Sequence, residues 1–141
     1  MFRKILVGFD GSEESWKALR WAMALAKLEP DYELWAVSVE EKLPRMPEVI
    51  DELDEEKTRQ DALVEALHRQ ARGLAVEEGV DLKLRTAVGH AAQQIVRLAE
   101  EGAFDLLVIG HSGHSRVWGR FLGDAASKIV SHARCAVLVV R

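Results

Sequence analysis

Short apolar runs alternate with long helical periods along the whole chain. Phe2 to Phe9 reads as a strand with the apolar centre Ile5, Leu6, Val7, and Asp10-Gly11-Ser12 breaks it. Ser12 suits a helix N-cap, and Glu13 and Glu14 fall in a first turn where the helix dipole favours carboxylates. This helix extends to about Leu28, with Trp16, Leu19, Met23 and Ala26 on one face, until Glu29-Pro30 ends it. Glu33 to Val39 is apolar on both faces, as an interior parallel strand requires. Residues 40–52 carry Pro44, Pro47 and several charges, the composition of an exposed, mobile loop. A long amphipathic helix then covers Leu53 to Glu78, with Leu63, Ala66, Leu67, Ala71, Leu74 and Ala75 as its buried stripe. Gly79 is placed to end it.

Leu82, Leu84, Thr86 and Val88 alternate with Lys83, Arg85 and Ala87. This third strand has one wetter face, as expected near a sheet edge. Gly89 turns the chain into a helix from Ala91 to about Glu101. A fourth, buried-looking strand starts near Phe104 and runs through Asp105 to Ile109. A glycine-rich loop follows, then a helix from Asp124 to His132 and a last strand from Ala136 to Val140. Strand–helix alternation throughout predicts one α/β domain over residues 1–141, built on a five-stranded parallel sheet with four helices.

Composition narrows the function. The chain is 48% hydrophobic and 30% charged, with a net charge of −4, which is ordinary for a soluble globular protein. An acidic balance argues against a nucleic-acid partner, which needs a basic face. Arg3 and Lys4 are followed only by a short apolar run, so no secretory leader is expected. No stretch approaches the length of a membrane span. The expected location is cytoplasmic. Cys135 stands alone and excludes an internal disulfide. It reads as a small buried hydrophobe.

The most chemical stretch is the loop after the fourth strand, with glycines at 110, 113, 119 and 123. Strand, glycine-rich loop, helix start is how a backbone presents N–H groups to a phosphate. The last strand carries a different message. Ala136-Val137-Leu138-Val139-Val140 has no polar residue, so at a sheet edge it would be an unprotected template for another strand. Pairing with the same strand of a twin gives a two-fold homodimer. An interior position for this strand is the alternative.

Three blocks together resemble the universal stress protein family. Gly110 and Gly113 are followed after nine residues by Gly123, close to the G-x-x-G, nine residues, G-(S/T) pattern of its nucleotide-binding branch. Ile5 to Ser12 is similar to that family's first strand and turn. His132 to Val140 is similar to its C-terminal signature, with Arg134 and Ala136 where the family often has proline. The resemblance covers the whole chain. It implies a Rossmann-like fold with strand order 3-2-1-4-5 and helices on both faces, and dimerisation through the last strand. It also implies ATP or another adenine nucleotide at the strand 1/strand 4 switch point. Asp10 and Val37 would line the adenine. The backbones of Gly110, His111, Gly113 and Gly123 would approach the ribose and phosphates. The implied role is a small stress-response or regulatory module.

Asp124 departs from the pattern, which has a hydroxyl there. An ionised carboxylate only accepts hydrogen bonds and repels phosphate. His111, His114, Arg116, Arg120 and Lys128 lie close in sequence and offset its charge. Mg²⁺ bridging Asp124 to phosphate is a second way for the two to coexist. A third is that Asp124 caps the helix, worth about 1 kcal/mol. The alternative function is therefore a dimeric interaction module without nucleotide. His111-Ser112-Gly113-His114 also spells the H-x-G-H of nucleotidyltransferases, but there the motif follows the first strand. No dedicated general base stands out, so the enzymatic expectation is at most a slow ATPase. Asp10 reads equally as a turn residue held by its own backbone. Trp16, Trp21 and Trp35 sit in apolar patterns and read as core, while His68 and His90 read as surface residues.

Overall fold

The computed structural model describes residues 2–41, 50–111 and 123–141. Its elements run β1 (Lys4–Gly8), α1 (Glu13–Ala26), β2 (Glu33–Glu40), α2 (Ile50–Glu78), β3 (Leu82–Val88), α3 (Ala91–Glu101), β4 (Leu106–Gly110), α4 (Asp124–His132) and β5 (Ala136–Val140). All five strands are parallel, in the order β3-β2-β1-β4-β5. Leu6 pairs with Trp35 on one side and Leu107 on the other, so β1 is central.

Crossovers between parallel strands are right-handed. Stepping from β1 to β2 to β3 therefore puts α1 and α2 on one face. Stepping the other way, from β3 across to β4 and then β5, puts α3 and α4 on the opposite face. The side chains obey this division with a period of two. Ile5, Val7, Leu34, Ala36, Leu106, Val108 and Val140 face α1 and α2, where Ala18, Leu19, Ala22, Met23, Ala71 and Ala75 meet them. Leu6, Val37, Leu107 and Ile109 face Ala92, Ile95, Ala99, Ala126 and Ile129 of α3 and α4.

Local chemistry ends the helices where expected. Ser12 caps α1 by accepting from the Ser15 amide. Gly79 takes φ +68° after α2, and Val80 N–H reaches back to Ala75 O at 2.9 Å, closing the turn as a Schellman motif does. Three expectations change. Helix α2 begins at Ile50, so it takes the end of the expected 40–52 loop, and β2 takes Glu40; residues 42–49 lie outside the described residues. Leu63 is 65% exposed rather than part of the buried stripe. Trp21, expected in the core, is 56% exposed. Small alanines at 18 and 22 hold the core positions and bring α1 close to the sheet, leaving Trp21 on the helix flank. No helix among the described residues is long and apolar enough to cross a membrane.

Candidate functional site

Beside β1, the chain leaves β1 toward one face of the sheet and leaves β4 toward the other. The reversal opens a cleft of about 450 Å³ at the carboxyl ends of β1, β2 and β4. Val37, Val39, Ile95, Ile109 and Ile129 give it apolar walls, and Asp10, Ser12, Ser15 and Asp124 give it a polar rim. Gly8, Gly110 and Gly123 also border it. The starts of α1, α3 and α4 converge there, each presenting the positive end of its dipole. Neither His90 before α3 nor Gly123 before α4 supplies a side-chain cap. Their first-turn amides suit an external anion.

Asp10 sits on the rim inside a turn of its own making. Its Oδ1 accepts from the Ser12 amide at 2.9 Å, an Asx turn, with Gly11 at φ +84°. Ser12 Oγ accepts from the Ser15 amide at 3.2 Å, and Ser15 Oγ donates to Ser12 O at 2.9 Å. The turn residue and the cleft-lining residue are thus one and the same. Val37 is buried in the cleft wall.

Gly110 has a packing reason to be glycine. A Cβ there would lie 2.7 Å from Glu14 Cβ, 3.0 Å from the Glu14 carbonyl carbon and 3.1 Å from Ser15 N. The first turn of α1 therefore rests directly on the end of β4. Gly110→Ala is expected to destabilise the protein by about 1–3 kcal/mol, as overpacking does. Urea unfolding checks this, and an unchanged midpoint would contradict the contact.

Asp124 is not the N-cap. Gly123 occupies that position in extended conformation (φ −61°, ψ 158°), and Asp124 is the first helical residue, exposed on the cleft rim. Its charge still suits the helix dipole. Gly123 N–H donates to His111 O at 2.9 Å, and His111 N–H donates to Val140 O at 2.7 Å. The backbone of buried His111 thus ties the end of β4 to β5 and to the start of α4. His111 is not among the residues lining the cleft. Gly113, His114, Arg116, Trp118 and Arg120 lie outside the described residues. Among the described residues no cluster of three His, Cys, Asp or Glu could hold a metal ion. Burial raises the Cys135 thiol pKa, which keeps it in the unreactive protonated form.

His68 was misread as a surface residue. It is half-buried on α2, and its Nε2 lies 2.9 Å from Ser38 Oγ. Buried Ser38 donates its one hydroxyl proton to Phe9 O at 2.6 Å. His68 must therefore donate from Nε2, which leaves Nδ1 as the titrating atom. This chain clips α2 to the end of β1, immediately behind the cleft. The signal was present as helical spacing: His68 is one turn after Val64, and Ala71 and Ala75 continue its line toward the sheet. Burial, then the charge of Arg72, lowers its pKa below the usual 6.5. The unfolded chain takes the proton first, so this contribution is complete above about pH 6.5 and fades as pH falls toward the native pKa. The stability advantage of wild type over His68→Gln is expected to shrink in that acid window. Paired urea titrations on either side of it decide the point, and a pH-independent difference would contradict it.

A crevice at the strand-order reversal of an open parallel sheet is where doubly wound α/β proteins take their ligands. Within that class the chain belongs to the universal stress protein family, whose model matches residues 1–141. It is 33% identical to a universal stress protein of Methanocaldococcus jannaschii over 148 residues, covering 100% of this chain and 83% of the relative. The solved universal stress protein UspA from Lactobacillus plantarum superposes with a TM-score of 0.89 at 26% identity, over 99% of this chain and 98% of that one. A universal stress protein solved in complex with cAMP superposes at 0.72 with 27% identity, over 99% and 97%. An Arabidopsis thaliana family member with AMP bound shares the fold, at 0.71 and 20% identity over 98% and 90%.

Proposed function

We propose that this chain is a regulatory, stress-response nucleotide binder that takes ATP or another adenine nucleotide in the β1/β4 cleft. The observation that carries the reading is the cleft itself: apolar walls at Val37, Val39, Ile95 and Ile109, and three helix N-termini at its rim. Its volume falls in the usual range for small-molecule sites. The family members with cAMP and AMP bound support an adenine nucleotide as the occupant. In this reading Asp10 and Val37 lie against the adenine, and the backbones of Gly110 and Gly123 border the ribose and phosphates, while His111, expected there, is instead held by Val140 and Gly123 away from the cleft. Mg²⁺, which takes carboxylate and phosphate oxygens together, would join Asp124 to the phosphates. Occupied and empty states then differ in the surface offered to partners, by as much as the nucleotide's affinity differs between them. The working form is a cytoplasmic homodimer paired through Ala136 to Val140, the last strand in the order of the sheet.

The second reading is a dimeric interaction module without nucleotide. Asp124 favours it, because its exposed carboxylate already sits at the start of α4, where a phosphate would be drawn. Denaturing the purified protein and identifying what it releases separates the two. An adenine nucleotide in the filtrate is the expected result. An empty filtrate, with no binding of added ATP, would establish the second reading instead.

A further inference from the structure

The two flanks of α1 are unlike. The flank toward α2 is fully engaged: Trp16 meets Phe9 edge-on at 4.8 Å, and Lys27 Nζ lies 2.8 Å from Glu78 Oε2 of α2. The other flank carries Trp21 and Leu25 at i and i+4, with Leu28 just beyond the end of the helix. Trp21 is 56% exposed and Leu28 77%. Since α2 packs toward β3 while α1 packs mainly against β4 and β1, and more lightly against β5 and β2, the flank away from α2 is the one on the β5 side.

Among the described residues strand β5 pairs with β4 alone of the strands, and no strand pairs with its other edge. It has no polar side chain, and Leu138 faces the α1 side of the sheet. A second copy of β5, antiparallel about a two-fold axis, satisfies that edge. Such pairing continues the sheet, so both α1 helices lie on the same face and look at each other across the two β5 strands. Strands stand about 4.8 Å apart, so helices seated over β4 and its twin are about 14 Å apart. Packed helices stand at about 8–10 Å. The surplus is a trough of about 5 Å over the apolar faces of the two β5 strands, which only large side chains can fill. Trp21, exposed on that flank, would reach into it from both sides. Area makes the same demand. A five-residue strand edge alone falls short of the roughly 800 Å² per partner of a stable interface, and a tryptophan adds about 150–250 Å².

We propose that Trp21, with Leu25 and Leu28, is the α1 shoulder of the homodimer, closing over the paired β5 strands of a second copy of this chain. The inference rests on the β5 dimer of the proposed function. Sedimentation equilibrium of the full chain tests it in wild type, Trp21→Ser and, as a control, Leu63→Ser at the exposed face of α2. The expected result is a wild-type dimer whose dissociation constant rises at least thirtyfold in Trp21→Ser, the loss of a hot-spot residue. Leu63→Ser stays at the wild-type value. Unchanged circular dichroism and urea midpoints show that both variants fold. A dimer indifferent to Trp21→Ser overturns the shoulder while leaving β5 pairing intact. A monomeric wild type overturns the pairing as well, and leaves the flank to an unlike partner.

Discussion

Exchange of Asp124 for serine is expected to tighten ATP binding in magnesium-free buffer by tenfold to a hundredfold, about 1.4–2.8 kcal/mol. Two effects act together. A carboxylate about 4 Å from a phosphate charge is repelled by about 4 kcal/mol at an effective dielectric of 20. Asp124 is exposed, so solvent screens much of this. Serine also restores a hydroxyl donor, and a hydrogen bond to a charged group contributes about 1.5–3 kcal/mol. With Mg²⁺ the gap between wild type and variant narrows, because the ion takes the carboxylate as a ligand and reverses its effect. Calorimetric titration of both proteins with and without Mg²⁺ measures the two ratios. Equal affinities in both buffers would mean that the Asp124 carboxylate does not meet the phosphates at all.

Phe9→Ala is expected to destabilise the fold by about 3–5 kcal/mol, the usual loss for a buried phenylalanine. Phe9 is only 2% exposed and meets Trp16 in an edge-on pair with 86° between the rings. Its backbone is equally committed, donating to Val37 O at 2.9 Å and accepting from Ser38 Oγ at 2.6 Å. It also borders the cleft, so the cavity left behind opens next to the proposed adenine position. Domains are stable by about 5–15 kcal/mol, which makes the loss a large fraction of the whole. Urea unfolding reports it directly, and a loss under about 1 kcal/mol would contradict the central place given to this ring.

The interior strands were legible because they are apolar on both faces: Ile5 to Val7, Leu34 to Val37 and Leu106 to Ile109 have no other reasonable home. Their order was not written in the spacing. It came with the resemblance, and given that order the right-handed crossover assigns each helix to its face. The side-chain pattern misled at two residues whose type and position disagree. Trp21 is apolar but lies on the helix flank, while His68 is polar but lies on the line that faces the sheet. In each case helical phase was the better guide than residue type. The cap of α4 was misassigned because aspartate is a strong N-cap and the glycine before it is not. Yet Gly123 is extended, and its amide donates to His111 O. That tie, and the one from His111 to Val140, are backbone to backbone, so side-chain patterning does not display them. Gly110 was legible as a need for a small residue only in the ligand sense; its contact with the first turn of α1 is tertiary.

The nucleotide reading is tested most directly by titrating ATP with Mg²⁺ into the wild-type protein in a calorimeter, followed by AMP competition. Saturable micromolar binding at one site per chain, displaced by AMP, is the predicted result. A flat titration in the wild type and again in Asp124→Ser would contradict it, and would leave the cleft as a structural feature of an interaction module.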